Sequence, residues 1–249
     1  MPGRAAAVCA GLLLVAAGRP SRAAQPPQAA AATPLAAASH PPQAAAATPQ
    51  AAAQAPQAAA QAPQAAPDLS GIWGPRFVKS LADDPPMLPA TRAKYESMSG
   101  EDDPLNTCMP PGLPRLMNLN FPFEILQKGD TVYILFEYAQ HQRRIYLNAE
   151  HPKDLDPTYL GHSVGHFEGR TLVVDTIGFT DKTWLDMAGH LHSDALHLVE
   201  RFTRSQDGQT LTYDVTIDDP AMYSKPWSAP TKTHRLRNDM KIQEFVCER

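Results

Sequence analysis

The residues best suited to chemistry lie in one stretch of the chain, from 175 to 204. Large apolar side chains such as Trp184, Leu198 and Phe202 interleave with its ionisable residues, whereas a solvated charge run would lack them. The ionisable residues in question are Asp181, Asp186, His190, His192, Asp194, His197, Glu200 and Arg201. This mixture predicts a polar pocket inside an apolar frame.

Glu200 is the first candidate for an acid or base. If the segment ALHLVERF (195–202) forms a strand, Glu200 shares a face with leucine and phenylalanine side chains, because side chains alternate along a strand. Desolvation between apolar neighbours favours the protonated carboxyl and suits it to general acid–base catalysis. The alternative is a structural ion pair with an arginine on a neighbouring strand, either Arg143 or Arg144.

His192 is the candidate partner of Glu200 in acid–base catalysis. A nearby carboxylate, from Asp186 or Asp194, would orient its imidazole. Ser193 adjoins His192, but neighbouring side chains in a strand point to opposite faces, so adjacency does not make the two a catalytic pair. The chain contains no Gly-X-Ser-X-Gly sequence, which argues against a serine hydrolase of the α/β type.

A metal site is the alternative chemistry for this stretch. His190, His192 and His197 could together hold a divalent metal, although loop histidines more commonly bond to the backbone or to a carboxylate. The chain has no nucleotide-phosphate loop, Rossmann fingerprint or haem attachment pair. We therefore expect neither a metal nor another cofactor.

Further side chains are assigned to ligand contact, because aromatic residues at the mouth of a barrel can bind a ligand. They are Trp184, Tyr223, Trp227, Arg144 and Glu137. Glu137 lies on a predicted strand, where it is either a second inward acid or a surface charge. A second histidine pair, His162 and His166, shares one face of another predicted strand with Val164, which is typical of a half-exposed surface.

The elements that must position these residues are β-strands. Strand patterns occur at 123–127, 131–138, 143–147, 163–167, 171–177, 195–204, 210–217, 231–237 and 241–247. Apolar and polar residues alternate along 210–217, so one face of the sheet meets a core. Eight or nine such strands favour an all-β fold, a single antiparallel meander closed into a barrel. The Pro-rich, charged segment 77–120 predicts a long irregular arm with one short helix at 91–98.

The first 66 residues predict export rather than a fold. A signal peptide at 1–23 is indicated by Arg4, by the apolar run over 5–17 and by the small residues that precede a cleavage site after Ala23. Residues 24–66 repeat Ala, Pro and Gln and predict a disordered linker. The folded domain is then predicted at 67–249, in the periplasm or outside the cell. No segment reaches the length of roughly 20 apolar residues that a membrane span needs. The net charge of -4 argues against nucleic acid as a partner.

Two cysteines remain after removal of the signal peptide, which contains Cys9. Cys108 and Cys247 form an even pair in an oxidising compartment, so we expect a disulfide between an early loop and the last strand. Two free thiols are the main alternative, and metal ligation is another.

Two resemblances extend these expectations. The sequence Gly71-Ile72-Trp73 at the first strand resembles the opening of lipocalin-like, or calycin, barrels, which hold a small apolar ligand inside. The set DLSGIW, TCMPPGLPR, EGRTLVVDTIGF, TWLD, HSDALHLVERF, DDPAMYSKPW and VCER resembles an exported bacterial family without an assigned activity. This second resemblance spans most of 68–249 and implies a single domain, but it implies no catalytic residues.

Two functions follow as hypotheses. The first is an exported enzyme that binds a small, largely apolar molecule inside the barrel and acts on it by cofactor-free acid–base catalysis, as a lyase, isomerase, cyclase or hydrolase. Glu200 and His192 would be its acid and base. The second is a non-catalytic carrier or binding module, in which the polar groups only orient the ligand.

Overall fold

The computed structural model describes residues 67–248, so the predicted signal peptide and linker lie outside the described residues. Strands predominate in the described part. They are β1 (Gly71–Trp73), β2 (Phe123–Lys128), β3 (Thr131–Phe136), β4 (Gln142–Leu147), β5 (His162–Glu168), β6 (Thr171–Ile177), β7 (His197–Arg204), β8 (Thr210–Asp218), β9 (Trp227–Ser228) and β10 (Lys232–Arg235). One α-helix, α1 (Pro89–Ser97), and three 3₁₀ helices at Gly100–Asp102, Pro104–Thr107 and Arg115–Asn118 precede β2.

These strands form one curled sheet in the order β1-β2-β3-β4-β5-β6-β7-β8-β10, with β9 paired to β8. The sheet is rich in antiparallel pairs and curls into a half-barrel, which confirms the expected all-β fold class. Its two edges approach at a single bridge between Trp73 and Leu236. There, the Gly74 amide donates a hydrogen bond of 2.8 Å to the Arg235 carbonyl. The lipocalin-like character of the fold stays a prediction.

One strand pair departs from a simple meander. β4 and β5 run parallel, and their pairing is restricted to residues 145–147 and 163–165. Parallel neighbours need a crossover connection of about a dozen residues or more, which the segment 148–161 provides. Because the pairing is short, the two strands diverge before Ile145 and Ser163.

The inner face of the sheet carries the core. Strand β8 shows the strict alternation expected from its sequence, with Leu211, Tyr213, Val215 and Ile217 buried. The predicted arm packs against this core, and its residues 111–119 are all buried. The short helix expected at 91–98 is confirmed as α1. No helix within residues 67–248 has the length and apolar character needed to cross a membrane.

The C-terminal tail corrects one strand prediction. Residues 241–247 were expected to form the last strand, but they make only an isolated bridge between Phe245 and Tyr138. The ring of Phe245 packs instead on Tyr138 and Phe121, with centroids 5.2 and 4.6 Å apart. The expected disulfide between Cys108 and Cys247 is confirmed and ties this tail to the arm.

Candidate functional site

Glu200 belongs to a network on the inner face of the sheet, here called the inner network. As predicted, its side chain points inward, and it is fully buried. Arg143 forms two hydrogen bonds with the carboxylate, one of them from Nη1 to Oε1 at 3.0 Å. Tyr213 donates to the same Oε1 at 2.8 Å. Arg143 also donates to Ser163 at 3.1 Å and to Thr176 at 2.9 Å.

The inner network leaves Glu200 no role as a free acid or base. Its two oxygens accept hydrogen bonds from Arg143 and Tyr213, so neither faces open space. Burial raises the pKa of Tyr213 well above its ordinary value, which keeps the phenol a donor at neutral pH. Of the two interpretations of Glu200, the geometry supports the structural ion pair with Arg143.

Asp186 organises a second network in the connection from β6 to β7, here called the lid segment (178–196). Its carboxylate accepts hydrogen bonds from the Leu81 amide at 2.8 Å, the Ala188 amide at 3.0 Å and His190 Nδ1 at 2.6 Å. Burial opposes its ionisation, but the bond to His190 and the charge of that ring outweigh burial and lower the pKa of Asp186. The His190 ring stacks on Tyr95 at 5.1 Å.

His192 does not form the pair expected with Asp186 or Asp194. Its Nδ1 bonds to the Ser193 carbonyl at 2.9 Å, and its Nε2 lies 2.7 Å from Thr183 Oγ1. Because a carbonyl only accepts, Nδ1 carries the proton and Nε2 accepts from the threonine hydroxyl. Asp186 is taken by His190, and Asp194 is exposed at the surface. Both nitrogens of His192 are therefore occupied inside the fold, where burial lowers its pKa.

The remaining predicted ligand contacts are scattered. Tyr223 and Trp227 are buried against each other with ring centroids 5.3 Å apart, and Tyr223 donates to the Leu191 carbonyl at 2.7 Å. They pack beneath the lid segment and line neither cleft described below. Glu137 accepts from the Gln243 amide at 2.9 Å and so holds the C-terminal tail. Its geometry is that of a structural surface charge.

A third network lies on the outer face of the sheet, here called the outer network. Asp175 accepts hydrogen bonds from His151 Nε2 at 2.9 Å and from His197 Nε2 at 2.7 Å. The other nitrogen of His151, Nδ1, lies 2.9 Å from Nδ1 of His162. With His151 neutral, its Nδ1 accepts the proton of His162 Nδ1, and this leaves Nε2 of His162 as a basic lone pair. No hydrogen bond within residues 67–248 occupies that Nε2.

Strand alternation and one loop assemble the outer network. His162 on β5, Asp175 on β6 and His197 on β7 all point outward, because Ser163, Thr176 and Leu198 beside them are buried on the inner face. His151 comes from the connection 148–161. Gly161 ends this connection with φ +64, and a Cβ there would lie 2.7 Å from the Ile177 carbonyl, so only glycine fits.

The side chain of His162 is one of those that line a cavity of about 440 Å³, here called the β4–β5 cleft. The cleft occupies the gap where the two parallel strands diverge. The Tyr146 ring stacks on His162 with centroids 5.3 Å apart. The lining residues are Pro110, His141, Gln142, Arg143, Arg144, Tyr146, Thr158, Tyr159, Leu160, Gly161, His162 and Ser163. Arg144 is thus the one predicted ligand contact that lies at this cleft.

A second cleft of about 460 Å³ lies between α1 and the lid segment. Trp184 lines it together with Tyr95 and Met187, so the predicted contact residue Trp184 is placed here. Arg115 covers the Trp184 ring at 5.6 Å. No histidine is among the residues that line this cleft.

The alternative metal site at His190, His192 and His197 is not assembled. His190 and His192 lie inside the lid segment, whereas His197 lies on the outer face with Asp175. Among residues 67–248, no group of three or more His, Cys, Asp or Glu side chains is arranged to hold a metal ion.

The sequence patterns singled out only His197 among the residues of the outer network, and they did so as a candidate metal ligand. His162 was expected to be ordinary strand surface, and neither His151 nor Asp175 was singled out. Outward placement of His162, Asp175 and His197 follows from alternation once the three strands are known to be neighbours. His151 gave no signal, because it lies in an irregular connection. No family model, curated protein or solved structure matches the chain, so any function is argued from this geometry.

Proposed function

We propose that the protein binds a small, largely apolar molecule in the β4–β5 cleft and catalyses proton transfer on it without a cofactor, with His162 as general base. The observation that supports this proposal is the hydrogen-bonded chain Asp175–His151–His162, which ends in a side chain that lines the cleft and whose Nε2 has no hydrogen-bond partner among residues 67–248. The carboxylates of Glu200 in the inner network and of Asp186 in the pair with His190 accept hydrogen bonds inside the fold. A ligand therefore reaches the protons of these groups less easily.

The outer network gives His162 the properties of a base. Asp175 fixes the tautomer of His151, and His151 in turn fixes that of His162. When Nε2 of His162 takes a proton from a substrate carbon or from water, the positive charge is shared with His151 and stabilised by Asp175. Burial lowers the pKa of His162, so the ring is neutral and ready to accept a proton at pH 7.

The proposed reaction classes are those in which a proton leaves one atom and returns to another, as in isomerases, lyases, cyclases and hydrolases. Glu200 then acts as a positioning residue, since it holds Arg143 at the inner wall of the cleft. We also propose that the protein works in the periplasm or outside the cell, in line with the predicted signal peptide. The Cys108–Cys247 disulfide is compatible with that location.

Replacement of His162 by asparagine tests the catalytic proposal. A panel of small enolisable carbonyl compounds is incubated with the protein in D₂O, and exchange of the α-proton is followed by NMR. Loss of the base is expected to slow exchange about 100-fold. His166→Asn is the matched control, because His166 lies on the same face of β5 but is exposed and, within the described part of the chain, bonds only to Glu168.

The pH dependence of this exchange is a second readout. Only the neutral imidazole accepts a proton, so the rate is expected to rise with pH through the pKa of His162 and then to level off. That pKa lies below the ordinary value of 6.5. Equal rates for the wild type and His162→Asn would contradict the proposal. If ligands bind in the cleft but no exchange occurs, the protein is a non-catalytic binding module.

A further inference from the structure

Two adjacent arginines at the β4–β5 cleft differ in how their charge is balanced. Arg143 points inward, is 2% exposed and is paired with Glu200. Arg144 points outward and is exposed, and within residues 67–248 its guanidinium forms no hydrogen bond or ion pair. The cleft therefore contains one positive charge that the described part of the chain does not neutralise.

The other lining residues do not change this balance. The lining contains no aspartate or glutamate. Its two histidines, His141 and His162, have pKa values that burial lowers, so both rings are neutral at pH 7. A single uncompensated guanidinium matches one carboxylate, which it can bind through two parallel hydrogen bonds. A phosphate dianion would leave a negative charge unbalanced in the same place.

The rest of the lining is apolar and aromatic. Tyr146 stacks on His162, and Tyr159, Leu160 and Pro110 complete the wall. Aromatic rings of this kind pack well against a flat apolar body. The volume of about 440 Å³ suits a compact molecule, since pockets for small ligands measure roughly 300–1,000 Å³.

We infer that the β4–β5 cleft binds a small monocarboxylic acid with a flat apolar body, its carboxylate on Arg144 and its body beside Tyr146 and His162. This inference rests on the proposed function and names its substrate class. The carboxylate fixes the molecule at one end of the cleft, and the atom that loses its proton lies next to Nε2 of His162.

Equilibrium binding to the mature protein tests the inference independently of turnover. Isothermal titration calorimetry is performed with benzoate, phenylacetate and cinnamate, with the corresponding neutral amides, and with phenyl phosphate. At least one carboxylate is expected to bind about tenfold more tightly than its amide, because the charge-assisted hydrogen bonds are lost in the amide.

The variant Arg144→Gln is expected to weaken carboxylate binding about tenfold and to leave amide binding unchanged. Arg235→Gln is the matched control, because Arg235 is an exposed strand arginine on β10 outside the cleft. The variant His162→Asn should keep the preference for the carboxylate. Its loss of proton exchange would support the proposed function, whereas carboxylate binding without exchange in the wild type would contradict the proposed function and leave this inference standing.

Three results would overturn the inference. They are equal affinity for every carboxylate and its amide, a preference that survives in Arg144→Gln, and tighter binding of phenyl phosphate than of any carboxylate. The last result would assign the cleft to phosphate esters. If the preference for carboxylates fails while His162→Asn still abolishes exchange, the substrate class is wrong and the proposed base is retained.

Discussion

Replacement of Glu200 by leucine is expected to lower the free energy of unfolding by about 3–5 kcal/mol. The change leaves the guanidinium of Arg143 buried at 2% exposure without its counter-charge. Tyr213 also loses the acceptor of its 2.8 Å hydrogen bond. An unpaired buried charge costs far more than the pair contributes, because the desolvation penalty is no longer offset. Urea unfolding followed by circular dichroism measures the difference.

A double variant distinguishes the contribution of the ion pair from the cost of leaving one buried charge unpaired. Arg143→Met combined with Glu200→Leu removes both charges, so it is expected to cost less than Glu200→Leu alone. Glu168→Ala is the control, because Glu168 also pairs with an arginine, Arg201, but at a side-chain exposure of 52%. That exposed pair should contribute little to stability, because water and salt screen it. A Glu200→Leu variant as stable as the wild type would contradict the structural role assigned to this residue.

Removal of the Cys108–Cys247 disulfide is expected to lower the free energy of unfolding by about 5 kcal/mol. The two cysteines are 139 residues apart in sequence, so the bond closes a long loop in the unfolded chain. In the chain-entropy account, a loop of this length restricts the unfolded state by roughly 4–5 kcal/mol at 25 °C. The double variant Cys108→Ser with Cys247→Ser is compared with the wild type in urea, in the absence of reductant.

The same experiment has an internal control. Reductant should destabilise the wild type by the same amount and leave the double variant unchanged. Pro110 at the wall of the β4–β5 cleft lies two residues from Cys108, so loss of the bond should also weaken ligand binding there. Equal stability of the oxidised wild type and the double variant would show that the non-covalent contacts of the tail, those of Phe245 with its aromatic neighbours and of Gln243 with Glu137, hold it without the bond.

Local patterns predicted part of the inner network. Alternation along 195–202 placed Glu200 inside, because side chains in a strand point to opposite faces whatever the topology. The sequence also offered Arg143 or Arg144 as a partner from a neighbouring strand. Arg143 is the partner, but β5 and β6 lie between its strand and that of Glu200 in the sheet. The choice between a catalytic acid and an ion pair depended on distance across the curled sheet, which strand periodicity does not encode.

The lid segment shows what the residue types in a stretch of sequence can and cannot predict about a site. The sequence identified Asp186, His190 and His192 as a polar group within apolar surroundings, and all three are buried. It offered Asp186 or Asp194 as the partner of His192, whereas Asp186 bonds to His190. The turn at 186–190 brings Nδ1 of His190 to 2.6 Å from the carboxylate, whereas His192 turns to Thr183. Such a choice depends on backbone dihedral angles that residue spacing alone leaves open.

The sequence by itself predicted an all-β domain, most of its strands, the core-facing side of β8 and the pairing of Cys108 with Cys247. These properties follow from the two-residue period of a strand and from the small number of candidates. Only the tertiary structure decided where a ligand can meet a base. The parallel pairing of β4 with β5 opens the cleft between them and brings His151 against His162. Because this pairing depends on a crossover of the chain, no local pattern of residues could reveal it.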